Sequence, residues 1–294
     1  MISFLTYLIN GVSLGSVYAI IALGYTMVYG IAKMLNFAHG DIIMVGAFVC
    51  FTIVTSMSGS AVVGVLLSIL ACIVLGVIIE AVAYRPLRGA SPLSVLITAI
   101  GVSYLLENLA LLVFGSNARQ FTSVVTLPPL KLAGGQLSIS SVTIVTIAVC
   151  IVIMAALTAF INKTRMGQAM LAVSEDQGAA ILMGVDVNKT IALTFAIGSG
   201  LAAIAGVLLC SAYPALTPYT GAMPGIKAFV AAVFGGIGSI PGAFLGGVLL
   251  GIIENLTKAY ISSQLSDAVV FSVLIIVLLV RPTGLLGKKT IEKV

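Results

Sequence analysis

Tryptophan is absent from this chain, histidine occurs once, and charge is scarce: Asp, Glu, Lys and Arg together make up 8% of 294 residues. Soluble domains carry about 25% charged residues, so a surface this poor in ionisable groups is excluded from facing water on all sides. Cys50, Cys72, Cys150 and Cys210 each sit inside an apolar run and none belongs to a CxxC pair. That pattern argues against a disulfide framework or a metal site and for reduced, buried thiols. No HExxH and no Cys/His cluster is present. The nearest approach to a Walker A motif, Gly284-Leu285-Leu286-Gly287-Lys288-Lys289-Thr290, fails in glycine spacing and in the residue after Lys288, so the chain cannot hydrolyse ATP by that chemistry. The first basic residue is Lys33. The positive n-region of a cleavable signal is therefore missing, and the first apolar run is expected to stay as a span. Without tryptophan, an aromatic belt must use the nine tyrosines.

What the chain has in quantity is apolar sequence: 60% hydrophobic residues and a mean hydropathy of +1.24. A span needs about 20 apolar residues. Nine segments qualify or come near, at about 4–31, 42–57, 61–82, 93–114, 141–161, 190–213, 226–237, 242–258 and 268–280. The expected fold is an all-α polytopic membrane bundle of about eight to nine transmembrane helices, forming one domain over 1–294. The first segment, about 45 Å long at 1.5 Å per residue, is expected to begin at the interface and turn inward near Asn10-Gly11. The seventh, about 18 Å by the same rise, is too short to cross a core of about 30 Å unaided.

The net charge of +5 raises the question of nucleic acid, but the basic residues form no stripe. They alternate between gaps instead. Lys33, Arg85, Arg88, Lys163, Arg165, Lys189, Arg281, Lys288, Lys289 and Lys293 fall on one side; Arg119, Lys131, Lys227 and Lys258 fall on the other. The positive-inside rule puts the first group in the cytoplasm, with the N-terminus outside and the C-terminus inside. That parity requires an odd number of crossings. It also requires 226–258 to be a membrane hairpin, broken at Gly235-Gly236-Ile237-Gly238-Ser239-Ile240-Pro241-Gly242. Residues 115–140, with Pro128-Pro129 and Gly134-Gly135, read as an external loop, and about 163–189 as an internal one.

In the internal loop Met166, Met170, Val173 and Gln177 follow helical spacing. Ser174 is expected to cap a second short helix, with Glu175 and Asp176 in its first turn, where the macrodipole favours negative charge. Ala179 to Met183 then forms an apolar patch ended by Gly184 as a C-cap. Such a patch marks either a partner site or packing on the bundle itself. The series Gly238, Gly242, Gly246, with Gly247 and Gly251, has the four-residue spacing that brings helix backbones close in lipid. Pro241 leaves a broken helix near a transport path open. The segment Asn36-Phe37-Ala38-His39-Gly40-Asp41 joins the first two spans. His39 and Asp41 suggest a proton relay or, more simply, an Asp41 cap at the membrane edge. Glu80, Glu107 and Glu254 lie toward span ends, Glu80 beside Arg85 and Glu254 one turn from Lys258, where such pairs satisfy an acid.

These residues match a known family. The chain resembles the LivH-type permeases of bacterial high-affinity branched-chain amino acid import systems over essentially its whole length. The resemblance is carried by Asn10 to Ser16, Gly24 to Gly30, Asn36 to Gly40, Tyr84-Arg85-Pro86-Leu87-Arg88, the inner loop with Glu175-Asp176 and Gly184, Gly235 to Ala243, and Pro282-Thr283-Gly284. It implies a permease subunit in the bacterial inner membrane with no enzymatic activity of its own. The implied partners are a second, longer related permease, two cytoplasmic ATPases that use ATP and Mg, and an extracytoplasmic amino-acid-binding protein. This chain would bind no cofactor. The loop at 164–186, including Arg165, Gly167, Glu175, Asp176, Ala179 and Gly184, would be the segment that couples to the ATPases. Asn36, His39 and Asp41, with Gly235, Gly236, Gly238, Pro241 and Gly242, are the candidates for the translocation path. The competing expectations are an ion-coupled secondary carrier using His39, Asp41, Glu107 and Glu254, and a passive channel or membrane scaffold.

Overall fold

The structure is a computed structural model and describes residues 2–57, 59–132 and 137–287. Eleven α-helices account for nearly all of it: α1 (Ile2–Ala32), α2 (His39–Phe51), α3 (Ala61–Ile79), α4 (Pro92–Phe114), α5 (Ser141–Lys163), α6 (Arg165–Glu175), α7 (Gln177–Leu182), α8 (Val187–Ala212), α9 (Ala222–Gly235), α10 (Ile240–Tyr260) and α11 (Ser266–Val280). Each of the nine apolar segments has its helix. Six helices are long and apolar enough to cross a membrane, and α2, α9 and α11 are shorter apolar helices. The basic tail at Lys288, Lys289 and Lys293 and the glycines Gly134 and Gly135 lie outside the described residues.

Burial and hydropathy run opposite to a soluble protein. The best 18-residue window of α3 has mean hydropathy 3.2 and is only 28% buried, whereas that of α8 has 2.1 and is 78% buried. The most apolar surface therefore faces outward, which is stable only against lipid. In the centre, α1 and α8 are enclosed by neighbours; Ala19 to Leu23 of α1 are fully buried. α1 and α10 run antiparallel with backbones in near contact. A Cβ on Gly251 would lie 2.2 Å from the Gly15 backbone, and one on Gly247 would lie 2.4 Å from that of Ala19. Packing is thus the role of these α10 glycines, as small-residue spacing in lipid leads one to expect.

Two expectations fail. α1 does not turn at Asn10-Gly11; it is one continuous helix, because Gly11 is used to seat Ile252 and Asn255 of α10. Lys227 is not in an external gap. It lies in the second turn of α9, only 6% exposed, because a buried acid on α10 draws it inward.

Two pairs of short strands were not legible in the sequence. β1 (Arg119–Gln120) pairs antiparallel with β4 (Ala215–Leu216), and β2 (Leu130–Leu132) with β3 (Leu137–Ile139). The first pair matters most. Leu216 is fully buried in a cluster with Met44, Phe48 and Phe121, so the extended chain ahead of α9 descends into the bundle before the helix starts. π-helical turns at Thr52–Ser56 and Glu80–Tyr84 extend α2 and α3. Such turns are common at functional sites.

Candidate functional site

Two discontinuous elements meet inside the bundle. α1 ends at Ala32, at the end of the molecule that carries Lys33, Arg85, Arg88 and Lys163. Residues 33–38 are non-helical and climb back until α2 begins at His39. His39 packs on Gly24, two turns inside α1, and its ring lies 4.6 Å from that of Tyr25. α9 is the complementary half. It starts at Ala222 deep in the bundle and runs 14 residues, about 21 Å, to the basic end, where Gly238 faces Gly30. The two starts touch: a Cβ on Gly221 would fall 1.8 Å from the Gly40 carbonyl oxygen, and Gly225 also packs on Gly40. Non-helical backbone at membrane depth is tolerated where protein encloses it, and here each break is enclosed by the other.

Asp41 is corrected by this geometry. It is neither a cap nor at a membrane edge. The N-cap of α2 is Ala38, with no side-chain cap bond, and Asp41 is 2% exposed. Its carboxylate turns toward α4, where Ser103 and Glu107 approach it. His39 Nε2, Asp41 Oδ2 and the Asn36 amide nitrogen have no hydrogen-bond partner among the described residues. The Asn36 carbonyl oxygen accepts from the Tyr84 hydroxyl at 2.9 Å, which ties the first break to the π-helical end of α3.

The turn between α9 and α10 is a four-residue reversal. Gly236 (φ +107°) and Gly238 (φ +91°) take left-handed backbone that L side chains rarely adopt. Ser239 caps α10 by accepting from the Gly242 amide, Pro241 occupies the first turn, and Gly235 and Gly242 are in backbone contact. The α9 carbonyls at this end are completed from afar: the Leu285 amide donates to Phe234 and the Leu286 amide to Gly235, both at 2.9 Å. The Pro282-Thr283-Gly284 motif leads directly into that clasp.

A buried charge network fastens the outer part of the same region. Lys227 Nζ lies 2.8 Å from Glu254 Oε1 and 2.7 Å from Asp267 Oδ1, Lys258 reaches Glu254 at 2.5 Å, and the Tyr18 hydroxyl donates to Glu254 Oε2 at 2.9 Å. The Glu254–Lys258 pairing follows from sequence spacing. Lys227 and Asp267 come only from the fold. At the basic end Glu80, fully buried, receives Arg85 at 2.8 Å and also Arg88, which in turn donates to Asn188 at the start of α8. Arg88 is a partner that proximity in sequence to Arg85 alone does not reveal.

The internal loop forms two short helices as its spacing predicts, with different caps. Thr164 caps α6, and Asp176, not Ser174, caps α7 by accepting from the Ala179 amide at 2.9 Å. Glu175 ends α6, and Ser174 bonds back to the Leu171 carbonyl because it already lies inside that helix. Gly167 lets α6 press on α5; a Cβ there would meet the Ile161 backbone at 2.4 Å. α6 buries Met170 and Val173 and leaves Arg165 exposed. Ala180 of α7 is buried, whereas Ala179, Ile181, Leu182 and Met183 stand out, with Leu182 88% and Met183 84% exposed. Gly184 ends the patch at φ +82° with nothing packed on it. Asp186 then caps α8: the Lys189 amide (3.0 Å) and ammonium (3.2 Å) hold its carboxyl below the usual carboxylate range.

The model of the family described as branched-chain amino acid transport system / permease component matches residues 7–278. This chain belongs to that permease family. Among curated members, the chain is 46% identical to the high-affinity branched-chain amino acid transport system permease protein LivH of Salmonella typhimurium, and 44% identical to BraD of Pseudomonas aeruginosa. Each alignment covers 99% of this chain and 98% of the relative. Among solved structures, PsaBC from Streptococcus pneumoniae in complex with Fab aligns with a TM-score of 0.50 at 13% identity, over 95% of this chain and 91% of that one, a likeness of fold alone. The branched-chain permease family is therefore the frame in which the broken helices and the exposed tip of α7 are to be understood.

Proposed function

We propose that this chain is a membrane-spanning permease subunit of an ATP-driven importer that moves leucine, isoleucine and valine into the cell. The observation that carries the reading is the end-to-end similarity to permeases named for that transport. The reading places it in the inner membrane beside a second, related permease, with two cytoplasmic ATPases that supply ATP and Mg chemistry and an extracytoplasmic binding protein that delivers substrate. The chain itself takes no cofactor and performs no catalysis. The basic end, with Lys33, Arg85, Arg88, Lys163, Arg165 and Lys189, faces the cytoplasm by the positive-inside rule. α9 with its extended lead-in then makes one crossing, and the parity puts the N-terminus outside and the C-terminus inside.

The tip of α7 supports the ATPase contact, since an exposed apolar patch on a water-facing loop is stable only against a partner. Movement there has a continuous route inward. Asp186, four residues past the end of α7, caps α8, Asn188 bonds Arg88, Arg88 bonds Glu80, and Tyr84 one turn on holds Asn36 in the first break. Closure of the ATPase dimer would thus tilt α8 and the end of α3 and shift the contact between the two broken elements. The crevice between them on the basic side, lined by Tyr25, Tyr29, Met34, Asn36, Phe229 and Ile237, has no room for a water molecule.

The complete transporter in proteoliposomes takes up leucine with ATP inside. Vesicles with this chain but no ATPase take up none under any ion gradient; gradient-driven flux there would make it a secondary carrier instead. Leu182→Asp, at a position with no packing role, is expected to lower ATPase co-purification and leucine uptake together by about tenfold or more, in the range of a contact hot spot. Uptake equal to the unmodified complex would remove α7 from the interface.

A further inference from the structure

Between α2 and α4 lies a chamber of about 150 Å³ whose walls are wholly apolar: Met44, Val45, Phe48 and Val49 on one side, Leu106, Leu109, Ala110, Val113 and Phe114 on the other. Phe48 and Phe114 stack across its outer end with ring centroids 4.1 Å apart. One turn below its inner end, the two helices bring Asp41, Ser103 and Glu107 together. Asp41 is 2% exposed and Glu107 9%, Asp41 Oδ2 has no partner, and no lysine or arginine pairs with either carboxylate among the described residues. The other buried acids, Glu80 and Glu254, each hold two cations. Two carboxylates at membrane depth with no counter-charge are costly to maintain. They sit beside the apolar space lined by α2 and α4.

We propose that this chamber is a substrate site within the permease: the branched side chain lies among Val45, Leu106 and Ala110, and the α-ammonium is held by Asp41 and Glu107. The proposal rests on the transport reading above and adds where in this chain the amino acid is recognised. The α-ammonium of an aliphatic amino acid supplies a cation for the acids and its side chain fills the apolar volume, with the α-carboxylate turned away from Asp41 and Glu107. The Phe48–Phe114 stack stands at the outer end of this space, and the crevice around Asn36, nearer the basic side, has no room for a water molecule.

The test uses the complete transporter in proteoliposomes, with the same binding protein throughout, so that any change in the leucine-to-valine uptake ratio belongs to the permease. Ala110→Val narrows the chamber and is expected to lower that ratio about tenfold, the lower end of what one methylene is worth in an apolar pocket. Leu106→Ala widens it and moves the ratio the other way. Asp41→Asn is expected to cut leucine uptake about 30-fold or more, as loss of one member of a buried charge pair does, and Asp41→Glu restores part of it. An unchanged ratio in both chamber variants, or wild-type uptake by Asp41→Asn, overturns the proposal. If Asp41→Asn does not assemble with its partners, the two chamber variants decide alone. Failure of the unmodified complex to move any branched-chain amino acid would sink the transport reading itself, which is a distinct outcome.

Discussion

Gly251→Val is expected to abolish both assembly and uptake. The α1–α10 seam is built backbone on backbone: the new Cβ would lie 2.2 Å from both N and Cα of Gly15 and 2.7 Å from the Gly11 carbonyl oxygen. None of those atoms belongs to a side chain that could rotate away. Relief requires the two helices to separate, and with them the Gly247–Ala19 contact and the Tyr18–Glu254 hydrogen bond. Overpacking a core costs about 1–3 kcal/mol and occasionally more; a clash between two helix backbones belongs at or beyond the upper end. Gly101→Ala is the control, because nothing lies within 4 Å of its Cβ position. Within an exposed helix face that change is expected to raise stability by up to about 1 kcal/mol. The melting temperature of the purified permease in detergent separates the two variants, and a Gly251→Val protein that melts like the parent contradicts the seam.

The second large effect is expected at Glu254. Its side chain is 1% exposed and that of Lys227 8%. Breaking a buried ion pair by removing one member costs about 3–5 kcal/mol, because the other charge remains buried. Glu254→Ala should cost about 3 kcal/mol, the lower end, since Asp267 continues to hold Lys227 at 2.7 Å and Lys258 is exposed enough to reach water. Lys227→Met combined with Glu254→Met should lose much less than Glu254→Ala alone, as buried ion pairs replaced by apolar residues are often nearly neutral. A double variant as unstable as the single one would mean that the network is held by Tyr18 and Lys258 rather than by the Lys227 pair.

Sequence periodicity located the helices because lipid leaves few choices: an apolar run of sufficient length must be a helix. It located Glu254 with Lys258 and Glu80 with Arg85 because those pairs are local. It missed Lys227 and Asp267 because their partners lie on other helices, and the Arg88–Asn188 bond because α8 lies 100 residues further along the chain. The depth of Asp41 was misjudged for a different reason. Lys33 assigns the gap between the first two spans to the basic face, and only the contact of Gly40 with Gly221 shows that the chain there re-enters the bundle. The cap of α7 lies two residues beyond the expected Ser174 because Ser174, Glu175 and Asp176 all suit a helix start, and which one serves depends on where α6 stops. The chamber between α2 and α4 left no trace in sequence. Its walls are ordinary span residues until the two helices are set side by side.

The clasp of Leu285 and Leu286 on the last carbonyls of α9 also sets an order of events during synthesis. Some 50 residues separate the α9 terminus from the amides that complete it, and α10 and α11 are made in between. While the ribosome is still producing those helices, α9 is a short apolar segment with open carbonyls at one end and an extended lead-in at the other. It can settle only after α11 has been threaded and the following residues have emerged. The last two carbonyls of α9 thus find their chain partners only once residues 285 and 286 have been made.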